Sequence, residues 1–198
     1  MNIGVLGLQG DVSEHIAITE GALDNLNVEG KVCVVKTRRE IKNLNALIIP
    51  GGESTTIGKL IWKYKIDDGI RDIAKNGIPI MGTCAGLVLM AREGDEKVMK
   101  TGQPLLELMN MKVDRNVFGR QRESFETDLA IPVLGNKPYH AVFIRAPVIG
   151  KIWGETRILA EYEGRIVVAQ ENNLLALSFH PELSNDLRMH EYFIRMIE

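Results

Sequence analysis

Residues 78–90 read I-P-I-M-G-T-C-A-G-L-V-L-M. An apolar run, residues 78–81, leads into Gly82-Thr83-Cys84-Ala85-Gly86, and Leu87, Val88, Leu89 and Met90 then continue as a buried helix. The stretch reads strand, tight turn, helix. Its turn has the form G-x-C-x-G, the thiol counterpart of the G-x-S-x-G nucleophile elbow, in which small residues let a strained turn push one reactive side chain into the open. Cys84 occupies that apex. A thiol at a helix N-terminus meets unpaired backbone N–H groups and the positive end of the helix dipole, which favours a thiolate; the same N–H groups can stabilise an oxyanion. Read alone, the turn also fits one more buried core cysteine, so the decision rests on whether a base accompanies it.

Upstream, strands alternate with helices. Residues 2–8 form an apolar run ending in Gln9-Gly10-Asp11, after which Ile16, Ala17, Ala22 and Leu23 recur at helical spacing, with Asp11 or Ser13 as N-cap. Gly4, Gly7 and Gly10 do not match the dinucleotide fingerprint, so no nicotinamide site is expected. Residues 31–36 read as a second strand, residues 37–43 as a short helical or turn segment and Ala46–Ile49 as a fully apolar third strand. That strand runs into Pro50-Gly51-Gly52-Glu53-Ser54. The G-K-[ST] ending of a phosphate loop is missing, so the turn fits an anion nest or oxyanion loop. A helix over Asp67–Lys75 stops at Asn76-Gly77, and the chain enters the elbow strand. This alternation predicts a parallel sheet covered on both faces, with ligands beyond the carboxyl ends of its strands, where both glycine turns fall.

After Arg92 the texture changes. Residues 93–103 are polar and irregular, and residues 109–115, 126–133, 139–145, 157–162, 165–170 and 174–179 read as strands, with Glu163-Gly164 a hairpin turn and a closing helix over residues 186–197. The expectation is a three-layer α/β sandwich whose central sheet is mostly parallel, and mixed or antiparallel in its C-terminal half. With no repeat or linker, residues 1–198 read as a single domain.

Composition narrows the function classes. At 198 residues one domain can bury roughly 70% of the surface its unfolded chain exposes. A 45% hydrophobic, 25% charged chain with net charge −2 lacks the basic excess of a nucleic-acid binder. Cys33 lies in a strand-like run, so its pairing with Cys84 in a disulfide is not suggested; a reducing, cytoplasmic setting is expected, with no signal peptide and no membrane span.

Four histidines are available as a base for Cys84. His15 and His190 fall on helical segments among charged neighbours, where a solvated face is expected. His140 stands in a strand beside Tyr139 and suggests packing only. His180 differs, because it ends an apolar run and is followed by Pro181, which favours an extended backbone, and then Glu182. In an extended segment residues i and i+2 project to one side, so Glu182 would reach the imidazole, hold its tautomer and stabilise the imidazolium.

The Cys84 elbow followed by His180-x-Glu182 resembles the class I, triad-type glutamine amidotransferases over the whole chain. Leu6-Gly7-Leu8-Gln9-Gly10-Asp11 with Glu14-His15, Pro50-Gly51-Gly52-Glu53-Ser54-Thr55, and Arg115-Asn116-Val117-Phe118-Gly119-Arg120-Gln121 with Ser124-Phe125-Glu126 resemble the glutaminase subunits of pyridoxal 5′-phosphate synthase. The resemblance implies a flavodoxin-like sandwich in which Cys84 attacks the side-chain amide of L-glutamine, His180 and Glu182 complete the triad, and ammonia passes to a separate synthase subunit of a hetero-oligomeric complex. It implies that Gly52, Glu53, Ser54, Arg115, Ile144 and Arg145 hold the substrate. Thiolate addition would then develop an oxyanion near the N–H groups of Gly52 and Ala85, and the charged loop at residues 120–126 would be a docking surface. No cofactor and no metal are expected. Two alternatives stay open: a glutaminase serving another synthase, such as one of histidine biosynthesis, and a non-catalytic redox or binding module built on an exposed elbow cysteine. An α/β-hydrolase is disfavoured because its acid precedes its histidine in the chain.

Overall fold

The apolar runs become the strands of one mixed sheet in a computed structural model that describes residues 1–115 and 124–197. The first half alternates β1 (Asn2–Leu6), α1 (Val12–Leu26), β2 (Lys31–Val35), α2 (Arg38–Ile41), β3 (Ala46–Ile49), α3 (Ser54–Lys63), α4 (Asp67–Lys75), β4 (Ile80–Thr83) and α5 (Ala85–Met90). There follow β5 (Ala91–Gly94), α6 (Glu96–Thr101), β6 (Met109–Asp114), β7 (Ser124–Leu129), β8 (Tyr139–Ile144), β9 (Val148–Ile152), β10 (Arg157–Tyr162), β11 (Arg165–Glu171), β12 (Leu174–Leu177) and α7 (Arg188–Ile194). The sheet runs β2-β1-β3-β4-β12-β11-β9-β6-β5, with β10 paired to β11, while β7 and β8 form a separate antiparallel ribbon. Pairing is parallel from β2 through β12 and antiparallel at β12–β11, β11–β9 and β9–β6, as expected for the two halves.

Alternation along each strand builds two cores. Leu47, Ile49 and Ile80 point to the side covered by α3, α4 and α5, whereas Ala46, Ile48 and Met81 face α1 and α7. Every residue of β3 is buried, as a central strand covered on both faces requires. Each such leucine or isoleucine contributes about 1.5–3 kcal/mol by leaving water.

Four segments depart from expectation. Residues 93–103 are not irregular: they supply the end of β5 and α6, whose N-cap Asp95 accepts from the Val98 N–H at 2.9 Å, a cap that outweighs the polar composition. The strand expected over residues 126–133 ends at Leu129, since Pro132 opens a short 3₁₀ turn. The strand β9 was not anticipated; its Gly150 interrupts the apolar pattern. The closing helix is shorter than residues 186–197 because Asp186 folds back onto the Arg188 N–H at 3.1 Å ahead of its start. Residues 116–123, which carry most of the third family-like motif and of the expected docking loop, lie outside the described residues. Among the described residues no helix is long and apolar enough to cross a membrane.

Candidate functional site

The strand order 2-1-3-4 reverses direction beside β1, and a crevice opens there at the carboxyl ends of the strands. Cys84 stands at the carboxyl end of β4. Its backbone is left-handed, φ 46° and ψ −98°, a costly conformation for a residue with a side chain, and its N–H is locked onto the Leu177 carbonyl at 2.8 Å. The elbow glycines are sterically required. A Cβ on Gly86 would collide with the Ile49 carbonyl oxygen, and one on Gly82 would press on the Gly86 backbone.

The parallel pairing of β12 with β4 sets Leu177 against Thr83, so the residues that follow each strand emerge side by side. His180 is fixed by its own N–H, which donates to the Val142 carbonyl of β8 at 2.8 Å. Its ring lines the same cavity as the Cys84 thiol, whose sulfur favours the charged form of the ring. Nδ1 lies 2.6 Å from Glu182 Oε1 and 3.3 Å from Asp11 Oδ2, which leaves Nε2 for the thiol. Glu182 does reach the ring, but by another route than expected: Pro181–Leu183 is a 3₁₀ turn, not an extended segment, and it swings the carboxylate under the imidazole.

The electrostatics favour a charged ring. Burial works against the imidazolium, but the neighbouring Asp11, Cys84 and Glu182 outweigh it and push the His180 pKa up to about 12. The His180 hydrogen bond holds Asp11 below the usual carboxylate range, against its partial burial. Burial raises Glu182, with His180 pulling the other way.

A cavity of about 430 Å³ opens over the thiol. Its walls include Cys84, His180, Ala85, Gly52, Glu53, Ser54, Arg115, Ile144 and Arg145, every expected site residue except Glu182, which stands behind His180. Glu53 caps α3, accepting from the Thr56 hydroxyl at 2.7 Å, Thr56 N–H at 2.6 Å and Thr55 N–H at 3.2 Å; these bonds override its desolvation and lower its pKa. Its own N–H donates to Gln9 Oε1 at 2.8 Å, tying the glycine loop to the end of β1. Gly52 sits at φ 141°, open only to glycine. Arg145 also has a left-handed backbone, φ 43°.

Arg115 is held from two sides. Its N–H donates to Asp95 Oδ2 at 2.7 Å, and its guanidinium donates to Gln103 Oε1 at 2.9 Å. The same Gln103 oxygen accepts from Ser54 Oγ and Thr55 Oγ1, both at 3.2 Å, so one buried amide joins the arginine to the glycine-loop helix. Sequence reasoning gave no role to Asp95 or Gln103. It also left Gln9, Asp11, Val88 and Pro147 unassigned in the cavity wall, although Gln9 and Asp11 follow β1 at the edge where ligands bind.

Three histidines depart from expectation. His15 and His190 are fully buried against each other rather than solvated, their Nδ1 and Nε2 3.4 Å apart, because α1 and α7 pack together there. His140 is not a packing residue; it projects outward from β8 and meets Glu126 at 2.9 Å and Asp128 at 3.5 Å. Asp11, His180 and Glu182 bring one ligand atom each within 4.8 Å of one another, a spacing that admits a cation, but the two carboxylates already share the imidazole Nδ1.

A mixed sheet with a cysteine elbow at its carboxyl edge, and helices on both faces, is the fold of the class I glutamine amidotransferases. A crystal structure of a glutamine amidotransferase superposes with a TM-score of 0.86 at 43% identity over 98% of both chains. A glutamine amidotransferase from Thermotoga maritima, 12% identical, shares the fold with a TM-score of 0.66 over 100% of this chain and 98% of its own. The chain belongs to the SNO glutamine amidotransferase family, whose profile matches residues 5–198. Its relatives include proteins named pyridoxal 5′-phosphate synthase subunit PdxT, from Methanococcoides burtonii (50% identical, covering 98% of both chains) and Archaeoglobus fulgidus (48% identical, covering 100% of this chain and 99% of the relative).

Proposed function

We propose that this chain hydrolyses L-glutamine to L-glutamate and ammonia as the glutaminase subunit of a pyridoxal 5′-phosphate synthase. The observation that carries the reading is the convergence of Cys84 and His180 in the wall of one cavity, with Glu182 behind the imidazole on its Nδ1. In this reading the Cys84 sulfur attacks the side-chain carbonyl carbon of glutamine. The carbonyl π pair moves onto oxygen, where the N–H groups of Gly52 and Ala85 receive it. Imidazolium His180 protonates the nitrogen, the C–N bond breaks and ammonia leaves, giving a thioester. Water then adds with His180 taking its proton, and collapse of that adduct returns the thiol and releases glutamate. Glu182 holds the ring with Nδ1 protonated throughout.

Arg115 supplies the paired donors that a substrate α-carboxylate needs, and Glu53, Ser54, Ile144 and Arg145 complete the pocket. The ammonia-accepting partner is a separate synthase subunit in a hetero-oligomeric complex, as the subunit name of the relatives suggests. Residues 1–198 act as one domain in the cytoplasm. A glutamine-like electrophile should label Cys84 and spare Cys33, with free glutamine protecting, as read by peptide mass spectrometry. In the complex Cys84→Ala should abolish ammonia release, and retention of ammonia release by that variant would refute the reading.

A further inference from the structure

The second oxygen of Glu182 faces a buried pair of histidines. His15 Nε2 lies 3.2 Å from Glu182 Oε2 and 3.1 Å from Thr83 Oγ1, while its Nδ1 lies 3.4 Å from His190 Nε2. His15, Thr83 and His190 have no exposed surface, and Glu182 is 7% exposed. No hydrogen bond of good alignment reaches Oε2, so the His15 ring is what this buried oxygen has beside it among the described residues.

We infer that His15 is a positioning residue for the triad: its Nε2–H, shared between Glu182 Oε2 and Thr83 Oγ1, locks the carboxylate so that the other oxygen stays on His180 Nδ1. The inference rests on the glutaminase reading of that triad. One tautomer fits. A bare Nε2 lone pair facing an ionised carboxylate oxygen would repel it, so Nε2 carries the proton and Nδ1 accepts from His190 Nε2–H. His190 Nδ1 is then a lone pair, in keeping with its having no hydrogen-bond partner among the described residues. Both rings are neutral: burial above all, helped by the positive charge of His180, keeps His15 well below the usual imidazole value, and burial takes His190 to about 3. A neutral donor suits the task. It satisfies Oε2 without adding a second cation that would compete with His180 for the carboxylate. Without it, Oε2 would be desolvated and donorless, and Glu182 would be free to rotate or take up a proton.

The test is glutamine hydrolysis by the complete complex with His15→Leu, which removes the donor, and His15→Gln, which puts an amide N–H near the Nε2 position. His15→Leu should lower kcat by about 10- to 100-fold with KM within about twofold, the scale of a misplaced catalytic group. His15→Gln should recover most of that loss, and His15→Leu should cost nothing further in a Glu182→Gln background. Folding is checked by thermal unfolding. Should His15→Leu not fold, His15→Gln is compared with His15→Asn, whose shorter amide does not reach: higher activity of the glutamine variant supports the inference, and equal activity overturns it. Wild-type kcat in a folded His15→Leu, equal impairment of the leucine and glutamine variants, or an undiminished His15→Leu loss on top of Glu182→Gln each overturns it. A wild-type complex that releases no ammonia from glutamine would instead overturn the glutaminase reading.

Discussion

Asp11 Oδ2 lies 3.3 Å from Nδ1 of His180, on the same ring nitrogen that Glu182 occupies. Two carboxylates from opposite ends of the chain therefore stabilise one imidazolium. Asp11→Asn should lower the pH at which His180 deprotonates, because a negative neighbour that favours the charged ring is removed. Histidine-ring NMR titration of the variant and the parent measures it, and an unmoved midpoint would exclude a direct role for Asp11.

The same shift makes a statement about stability. His180 is raised in the folded chain, so its contribution is complete below about pH 6.5 and is lost as pH climbs toward about 12. His190 behaves oppositely. Its folded value near 3 lies under its unfolded one, so the unfolded chain gains protons first and stability falls as pH drops from 6.5 toward 3. Urea midpoints measured across that acid range should fall less steeply for His190→Phe than for the parent.

Gln103 has its oxygen on Arg115, Ser54 and Thr55, and among the described residues its buried nitrogen has no partner. Gln103→Leu keeps the volume and frees the guanidinium. A hydrogen bond to a charged group is worth about 1.5–3 kcal/mol, so glutamine KM should rise by roughly tenfold or more with kcat little changed. Steady-state kinetics at saturating partner reads both, and a loss confined to kcat would place Arg115 outside substrate binding.

Two glycine substitutions should move stability in opposite directions. A methyl on Gly86 meets the Ile49 carbonyl, which is backbone at the centre of the sheet and cannot give way, so Gly86→Ala should cost about 1–3 kcal/mol or more. A methyl on Gly21, inside α1, finds only Leu187 Cδ2 at 3.6 Å, and Gly21→Ala should gain about 0.5–1 kcal/mol from helix propensity. Chemical denaturation of both variants checks the pair.

Much of this was legible from residue order. The apolar runs at Ala46–Ile49 and Ile80–Thr83, the G-x-C-x-G turn and the His180-Pro181-Glu182 segment after β12 each carry a local pattern, and local patterns are what periodicity and turn chemistry report. The short α6 was hidden by polar composition, since its Asp95 cap acts on only a few residues. His15 was misread for a different reason: the polarity of its immediate neighbours says nothing about a partner 175 residues away.

The sequence by itself determined most of the elements, the change from parallel to antiparallel pairing along the sheet and the candidates for nucleophile, base and acid, because each rests on a local pattern of residues. Only the tertiary structure decided that Asp11 joins His180, that Gln103 bridges Arg115 to α3, and that His15 reaches the far oxygen of Glu182. Those contacts depend on strand order and register, which bring the ends of β1, β3, β4 and β12 to one edge. That convergence is a property of packing, and no short stretch of residues encodes it.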